Sequence, residues 1–359
     1  MSVDSKNIRN VVLLGHSGSG KTTFAETMVF ESGGSSRRGT IEGKNTISDF
    51  TEIEQERGNT LFDTLLHADW RGNKINIIDT PGSDDFVGEI ISAIKVSDTA
   101  LMILNSVNGV EVGTELMWEY INQYNTPTIF VVNQLDHEKA NFEQTLEQTR
   151  NRFGNKVIAV QYPLNAGNGF NTIVDALRMT MYVFGENGGK PEKVDIPDSE
   201  IGRAQEMHNA LVEAAAENDE ELMEKFFDAG SLTEQELALG LRIAMAKGEI
   251  CPIFCASGLD NMGSGRIMGF INDVAPSPAD RPPAKLAGGG ELACDPNADT
   301  TLFVYKTMSE PQVGNVSYFK VYSGVVRPGD ELVNPANRTS ERINQIFIAN
   351  GKNRTQVDE

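Results

Sequence analysis

A glycine-rich stretch near the start of the chain carries side chains suited to phosphate chemistry: Gly15, His16, Ser17, Gly18, Ser19, Gly20, Lys21, Thr22 and Thr23. An apolar run precedes it and a segment with helical spacing follows it, which is the context of a phosphate-binding P-loop. In such a loop, backbone N–H groups turn towards phosphate oxygens and the following helix adds partial positive charge. Lys21 would reach the outer phosphates, and the Thr22 hydroxyl would ligate Mg²⁺. This pattern alone names no base and no reaction, and a chance match in a glycine- and serine-rich turn stays open.

Two further motifs follow buried-strand patterns. Asp79 begins the sequence DTPG, where an aspartate holds Mg²⁺ through water and the Gly82 N–H can sense a γ-phosphate. Asn133 begins the sequence NQLD, also at a strand end, where ligands of α/β sheets bind. A carboxylate at Asp136 can accept both N1–H and N2–H of guanine, whereas adenine would leave it unpaired. Three motifs in this order predict a GTPase-type site.

ATP-binding proteins are the alternative to a GTPase, because the glycine-rich stretch also resembles the P-loops of transporter ATPases and small-molecule kinases. Transporter ATPases carry an LSGGQ-type signature, and the sequence contains none. Asp136 favours guanine over adenine for the reason given above. We therefore predict GTP or GDP as the bound nucleotide.

Composition restricts the class of protein further. The 359 residues suffice for two or three domains, and 39% hydrophobic residues suffice for ordinary cores. A net charge of −20 argues against an extended nucleic-acid-binding surface, because phosphate contacts need Lys and Arg. Any nucleic acid would have to bind at a local basic site or through partner proteins. The three cysteines form no paired CxxC motif, which argues against a zinc site or a disulfide framework. No apolar run approaches transmembrane length, so we predict a soluble, cytoplasmic protein without a membrane partner.

The order of patterns along the chain predicts three parts. Residues 1–162 and 250–282 alternate apolar strands with amphipathic helices, which predicts a doubly wound, mostly parallel α/β sheet. Residues 163–249 carry acidic helices and predict an α+β insertion between two strands of that sheet. Residues 290–359 carry short strands and turns, including a strand over 342–348, and predict a β-barrel domain. Because an open barrel would leave an unpaired edge, we expect its last strands to be missing and the chain to be truncated.

Together these motifs resemble the translation elongation factor G family. GHSGSGKTT (15–23) resembles the family's GHIDAGKTT, and ERGNT (56–60), within a polar stretch that predicts a mobile loop, resembles its ERGIT switch. DTPGSDDF (79–86) resembles DTPGHVDF, NQLD (133–136) resembles NKxD, and PIFCASG (252–258) resembles PVFCGSA. The acidic 163–249 segment resembles the G′ insertion within this family's G domain. The likeness covers essentially the whole chain, as the G domain, the insertion and the start of domain II of a longer, paralogue-like factor.

The resemblance implies a complete guanine-nucleotide site with Mg²⁺. It assigns phosphate and Mg²⁺ to Lys21, Thr22, Thr60 and Asp79, the last three as metal ligands. It assigns the base to Asn133, Gln134, Asp136, Ser257 and Gly258, with the 257–258 backbone near O6 of guanine. Gln134 stands where the family has a lysine whose aliphatic stem covers the base, and the shorter glutamine predicts somewhat weaker binding.

Four positions on the hydrolysis side differ from the family. Ser83 stands where the family has the catalytic histidine that orients the attacking water, and Gly18 replaces a P-loop aspartate. Ser17 and Asn59 replace the apolar pair that flanks that histidine. Losing a water-positioning side chain costs about 10²–10⁴-fold in rate. The resemblance therefore predicts slow or absent hydrolysis.

The catalytic positions implied by the resemblance are Ser83, Lys21, Thr60 and Gly82. A rival interpretation keeps ordinary ribosome-stimulated hydrolysis, with His16 or Asp84 orienting the water instead of a histidine at position 83. The implied function is GTP-dependent action on the ribosome in tRNA–mRNA translocation. The alternative is a non-hydrolysing factor for ribosome binding, recycling or protection. The implied partners of a monomeric factor are ribosomal RNA and proteins, and the acidic insertion is either a solvated face or a contact for the stalk protein.

Overall fold

The computed structural model describes residues 3–186, 188–310 and 314–359. Its strands are β1 (Ile8–Leu14), β2 (Thr64–Trp70), β3 (Asn73–Asp79), β4 (Thr99–Asn105), β5 (Thr128–Asn133), β6 (Val157–Ala159), β7 (Gln161–Pro163), β8 (Thr172–Asp175), β9 (Thr180–Val183), β10 (Glu192–Val194), β11 (Cys251–Cys255), β12 (Ala284–Lys285), β13 (Glu291–Leu292), β14 (Thr301–Glu310), β15 (Gly314–Ser323), β16 (Glu331–Asn334), β17 (Thr339–Arg342), β18 (Ile346–Asn350) and β19 (Asn353–Val357).

The helices are α1 (Lys21–Glu31), α2 (Glu52–Arg57), α3 (Val87–Val96), α4 (Val112–Gln123), α5 (Phe142–Phe153), α6 (Asp198–Ala216), α7 (Glu220–Ala229), α8 (Glu234–Lys247) and α9 (Ser264–Asp273). None of these helices, in the part of the chain that the structure describes, is long and apolar enough to span a membrane.

A seven-stranded sheet forms the centre of the fold, in the order β2-β3-β1-β4-β5-β11-β6. All neighbours pair in parallel except β2, which runs antiparallel to β3. Val11 and Leu13 of β1 face a core shared with α1 and α9, and Val12 and Leu14 face a core shared with α3, α4 and α5. Helices on both faces explain why this strand is a continuous apolar run. The predicted mostly parallel α/β sheet is confirmed.

The chain leaves the central sheet after β6 and returns to it at β11. In between, β7 to β10 form a four-stranded antiparallel sheet, which is followed by α6, α7 and α8. Strand β7 crosses the predicted start of the insertion at residue 163. The antiparallel sheet and helices agree with an α+β insertion, while the exact domain bounds stay a prediction.

The C-terminal region is β-rich and pairs its strands as hairpins: β12 with β13, β14 with β15, β16 with β17, and β18 with β19. The single strand predicted over 342–348 is wrong, because Arg342 ends β17 and Ile346 begins β18. The backbone of Ile343 bonds instead to the turn before β16, where it donates to Asp330 O at 2.9 Å and accepts from Gly329 N at 2.7 Å. These two bonds turn the chain away from the β17 ladder.

The segment between α1 and β2 (residues 32–63, here the linking segment) contains a helix where the sequence predicts a mobile loop. Thr51 and Glu54 form a capping box at the start of α2. The buried Glu54 carboxylate also accepts from Leu61 N at 3.0 Å and Phe62 N at 3.2 Å. The helix and the chain after it are therefore held together by one side chain. The T-x-x-E spacing of Thr51 and Glu54 is a sequence signal for the start of a helix.

Candidate nucleotide-binding site

The predicted motifs meet at one edge of the central sheet. The P-loop follows β1, Asp79 ends β3, Asn133 ends β5, and Ser257 comes just after β11. Because these strands are parallel, their carboxyl ends lie on the same side, where open α/β sheets bind ligands. The structure thus brings together motifs that are far apart in the sequence.

Close packing shapes the P-loop around its glycines. Gly20, at the start of α1, has φ 89° in the left-handed region, and a Cβ there would lie 2.5 Å from Asn133 Nδ2. Gly82 packs on the loop from the β3 side, and its added Cβ would lie 2.8 Å from the backbone N of Ser17 and collide with Lys21 Nζ. Glycine at these positions allows the three motifs to touch.

The Lys21 side chain bonds to the backbone of the P-loop. Its ammonium donates to Gly15 O at 2.8 Å and to His16 O at 3.1 Å. Burial lowers the pKa of Lys21 to about 8, although the nearby Asp79 carboxylate opposes this shift. A buried ammonium that is held by two backbone carbonyls can exchange them for phosphate oxygens, which carry negative charge.

Oxygen atoms suited to a hard cation gather beside Lys21. Thr22 Oγ1 lies 2.9 Å from Thr60 Oγ1, and Ser48 Oγ donates to Asp79 Oδ2 at 2.7 Å. The other carboxylate oxygen of Asp79 is buried and has no hydrogen-bond partner among the described residues, and burial raises the pKa of this group. Hydroxyl and carboxylate oxygens are the ligands that Mg²⁺ prefers. The residues fit the ion predicted for Thr22, Thr60 and Asp79.

Asp49 is a residue of this site that the sequence motifs do not mark. It is buried, and its Oδ1 finds no partner within the residues that the structure covers. Burial and the neighbouring Asp79 charge raise the pKa of Asp49 to about 7. Two close carboxylates with unpaired oxygens would be stabilised by a bound cation. Only the packing of the linking segment on β3 reveals this pair.

Asn133 joins the P-loop to the loop after β11. Its Nδ2 donates to Ser19 O at 2.9 Å, and its Oδ1 accepts from Gly258 N at 2.8 Å. The side chain is 1% exposed, so both bonds are sheltered from water. Asn133 therefore fixes the two loops between which a base would lie.

Asp136 and Gln134 lie on the rim of the same cleft. Asp136 Oδ1 is buried without a partner in the described chain, as expected of a carboxylate that awaits a donor. Gln134 has φ 63°, and its Nε2 donates to Gly18 O at 2.9 Å. The glutamine is thus tied to the P-loop in this conformation.

Ser83 caps its own turn. Its hydroxyl donates to Asp85 Oδ2 at 3.3 Å and accepts from Asp85 N at 3.4 Å, at the start of a single 3₁₀ turn over residues 84–86. A short serine side chain that makes these bonds does not extend beyond the turn. The geometry supplies no side chain from position 83 for orienting water.

The two rival water-orienting groups lie against the start of α4. A Cβ at Gly113 would be 2.5 Å from His16 Nδ1 and 3.5 Å from Asp84 Oδ1. His16 Nε2 lies 3.8 Å from Glu111 Oε1. The histidine ring therefore packs between the P-loop and α4, which suits a structural role.

The fold and the site define a P-loop GTPase of the translation-factor type. The family model for the elongation factor Tu GTP-binding domain matches residues 6–277, and the chain belongs to that family. Among solved structures, a protein from Thermus thermophilus is similar to this chain, with a TM-score of 0.88 and 29% identity. The match covers 98% of this chain and 51% of that protein, so the chain spans about half the length of its relative.

Proposed function

We propose that this chain is the nucleotide-binding part of an elongation factor G-like protein that acts on the ribosome and cleaves GTP slowly. The observation that carries the proposal is a contrast within one site. Lys21, Thr22 and Asn133 are buried at the phosphate and base ends of the cleft, whereas Ser83 is engaged with Asp85 in its own turn. A site of this kind would bind GTP, while position 83 supplies no side chain to orient the attacking water.

Binding is assigned to three groups of residues. Lys21 and the backbone of residues 15–23 would hold the phosphates, and Asp136 with the 257–258 loop would hold guanine. Thr22, Thr60 and Asp79 would hold Mg²⁺, which neutralises charge on the β- and γ-phosphates when bound. The unpaired carboxylate oxygens of Asp79 and Asp49 support this assignment, because a bound cation would supply the partner that they lack among the described residues.

The ribosome is the proposed partner of a monomeric, cytoplasmic factor. A role in translocation belongs to the longer protein of which such a chain would be a part. The exposed Phe227 on α7 lies among acidic residues and supports contact between the insertion and a ribosomal stalk protein.

A second candidate is a factor that uses GTP only as a switch. Thr60 and Gly82 would be ordered by the γ-phosphate, and the factor would bind ribosomes and leave without cleavage. The contact between Thr22 and Thr60 favours this candidate, since the linking segment already lies on the phosphate side of the site.

Ribosome co-sedimentation and single-turnover GTP cleavage test the proposal together. We expect ribosome binding that depends on GTP. We also expect GTP to be cleaved much more slowly than the protein binds to the ribosome. Lys21→Met is the control, because it removes the phosphate-binding ammonium and should abolish both signals. Rapid cleavage by the unmodified protein would contradict slow hydrolysis, and equal ribosome binding without nucleotide would contradict the switch.

A further inference from the structure

The loop after β11 (residues 257–261, here the base loop) is hydrogen-bonded to α1 and to the linking segment. Thr27 Oγ1, on α1, donates to Gly258 O at 2.9 Å. Arg38 Nη1, in the linking segment, donates to Gly258 O at 3.0 Å and to Leu259 O at 2.7 Å. Two successive carbonyls of the base loop therefore share one guanidinium nitrogen.

The position of Arg38 is itself fixed from α1. The next residue, Gly39, donates its N–H to Glu26 Oε2 at 2.9 Å, and the other oxygen of Glu26 accepts from Ile47 N. Glu26 is 1% exposed, so this carboxylate holds the linking segment from within the fold. A Cβ at Gly39 would lie 2.6 Å from Thr46 Cα, which shows how tightly the segment closes here.

Charge adds to the geometry. Asp260 belongs to the base loop, where its backbone N donates to Ser257 Oγ at 3.0 Å. Burial and the Asp136 charge raise the pKa of Asp260, and Arg38 opposes that shift. Arg38 therefore supplies positive charge near the Asp260 carboxylate.

We propose that Arg38 is a positioning residue for guanine that ties the base loop to the linking segment. The inference rests on the proposed placement of the base between Asp136 and the base loop. With Arg38 in place, the 257–259 backbone keeps the geometry that reads O6 of guanine. The same segment carries Thr60, so a movement of that segment would loosen the base and speed nucleotide release.

Release of a fluorescent GDP, together with the affinities of GDP and ADP, tests this role. Arg38→Ala should release GDP about tenfold faster, as expected for losing hydrogen bonds from a charged donor. The preference for GDP over ADP should fall by a similar factor, because ADP gains little from the base loop. Arg38→Lys should recover part of both effects, since an ammonium can still donate to a carbonyl.

Arg37→Ala is the matched control. Arg37 is exposed, carries the same charge and precedes Arg38 directly, so its loss changes net charge without freeing the base loop. We expect wild-type rates from it. If Arg38→Ala releases GDP no faster than Arg37→Ala, or weakens GDP and ADP equally, the inference is overturned. Failure of the unmodified protein to bind GDP would instead overturn the proposed nucleotide site, and the inference with it.

Discussion

The base side and the hydrolysis side of this site differ in how their side chains are held. On the base side, Asn133 is buried and uses both ends of its amide to join two loops. On the hydrolysis side, Ser17 and Asn59 are exposed, and Ser83 bonds within its own turn. Buried hydrogen-bonded groups are costly to change, whereas exposed ones are not. The proposed combination of GTP binding with slow cleavage is therefore physically compatible with one fold.

Replacing the proposed base-reading carboxylate should have the largest effect. Asp136→Asn should lower the affinity for GDP by about 10³-fold or more, because the amide cannot accept both guanine N–H groups. Affinity for xanthosine diphosphate should rise, since its O2 accepts a hydrogen bond from the new amide. Competition against a fluorescent guanine nucleotide measures both changes, and an unchanged GDP affinity would place the base elsewhere.

Introducing a histidine at position 83 should raise the rate of GTP cleavage without changing the affinity for GTP. Ser83→His should speed single-turnover GTP cleavage on ribosomes by about 10²-fold, the usual contribution of a positioned acid or base. Ser83→Ala is the control, because it removes the same hydroxyl without supplying an imidazole. If both variants stay inert while GTP still binds, the other altered positions, Ser17, Gly18 and Asn59, also limit the reaction.

Glu54 connects the two sides through the linking segment. Glu54→Gln should lower the preference for GTP over GDP by about tenfold, since the carboxylate bonds to Leu61 N and Phe62 N, just after Thr60. Glu52→Gln is the matched control, because Glu52 lies exposed in the first turn of the same helix. Equal nucleotide preferences in the two variants would show that α2 does not position Thr60.

The smallest effect is expected at Gln134. Gln134→Lys should raise GDP affinity only about threefold, because a longer aliphatic stem can cover the base and hydrophobic contact adds little per methylene. Gln134→Ala should lower the affinity, as it also removes the bond to Gly18 O. Isothermal titration of both variants measures the difference, and a lysine variant weaker than alanine would rule out this position as a cover for the base.

The sequence alone determined the sheet and the order of the motifs. Each motif is a short, contiguous pattern at the end of an apolar strand, and the rule that parallel strands share one carboxyl edge then places them together. The same reasoning misplaced the strand over 342–348, because a contact with a distant turn decides where that strand ends.

Only the tertiary structure decided how the site is held together. The Asp79 charge acts on Asp49, and Arg38 bonds to Gly258 across 220 positions of the chain. No local sequence pattern indicates either interaction. Local patterns report which face of a strand or helix is buried, whereas such contacts depend on how loops pack after the core has formed. The chain's family could therefore be read from its motifs, while the couplings between its loops required the fold.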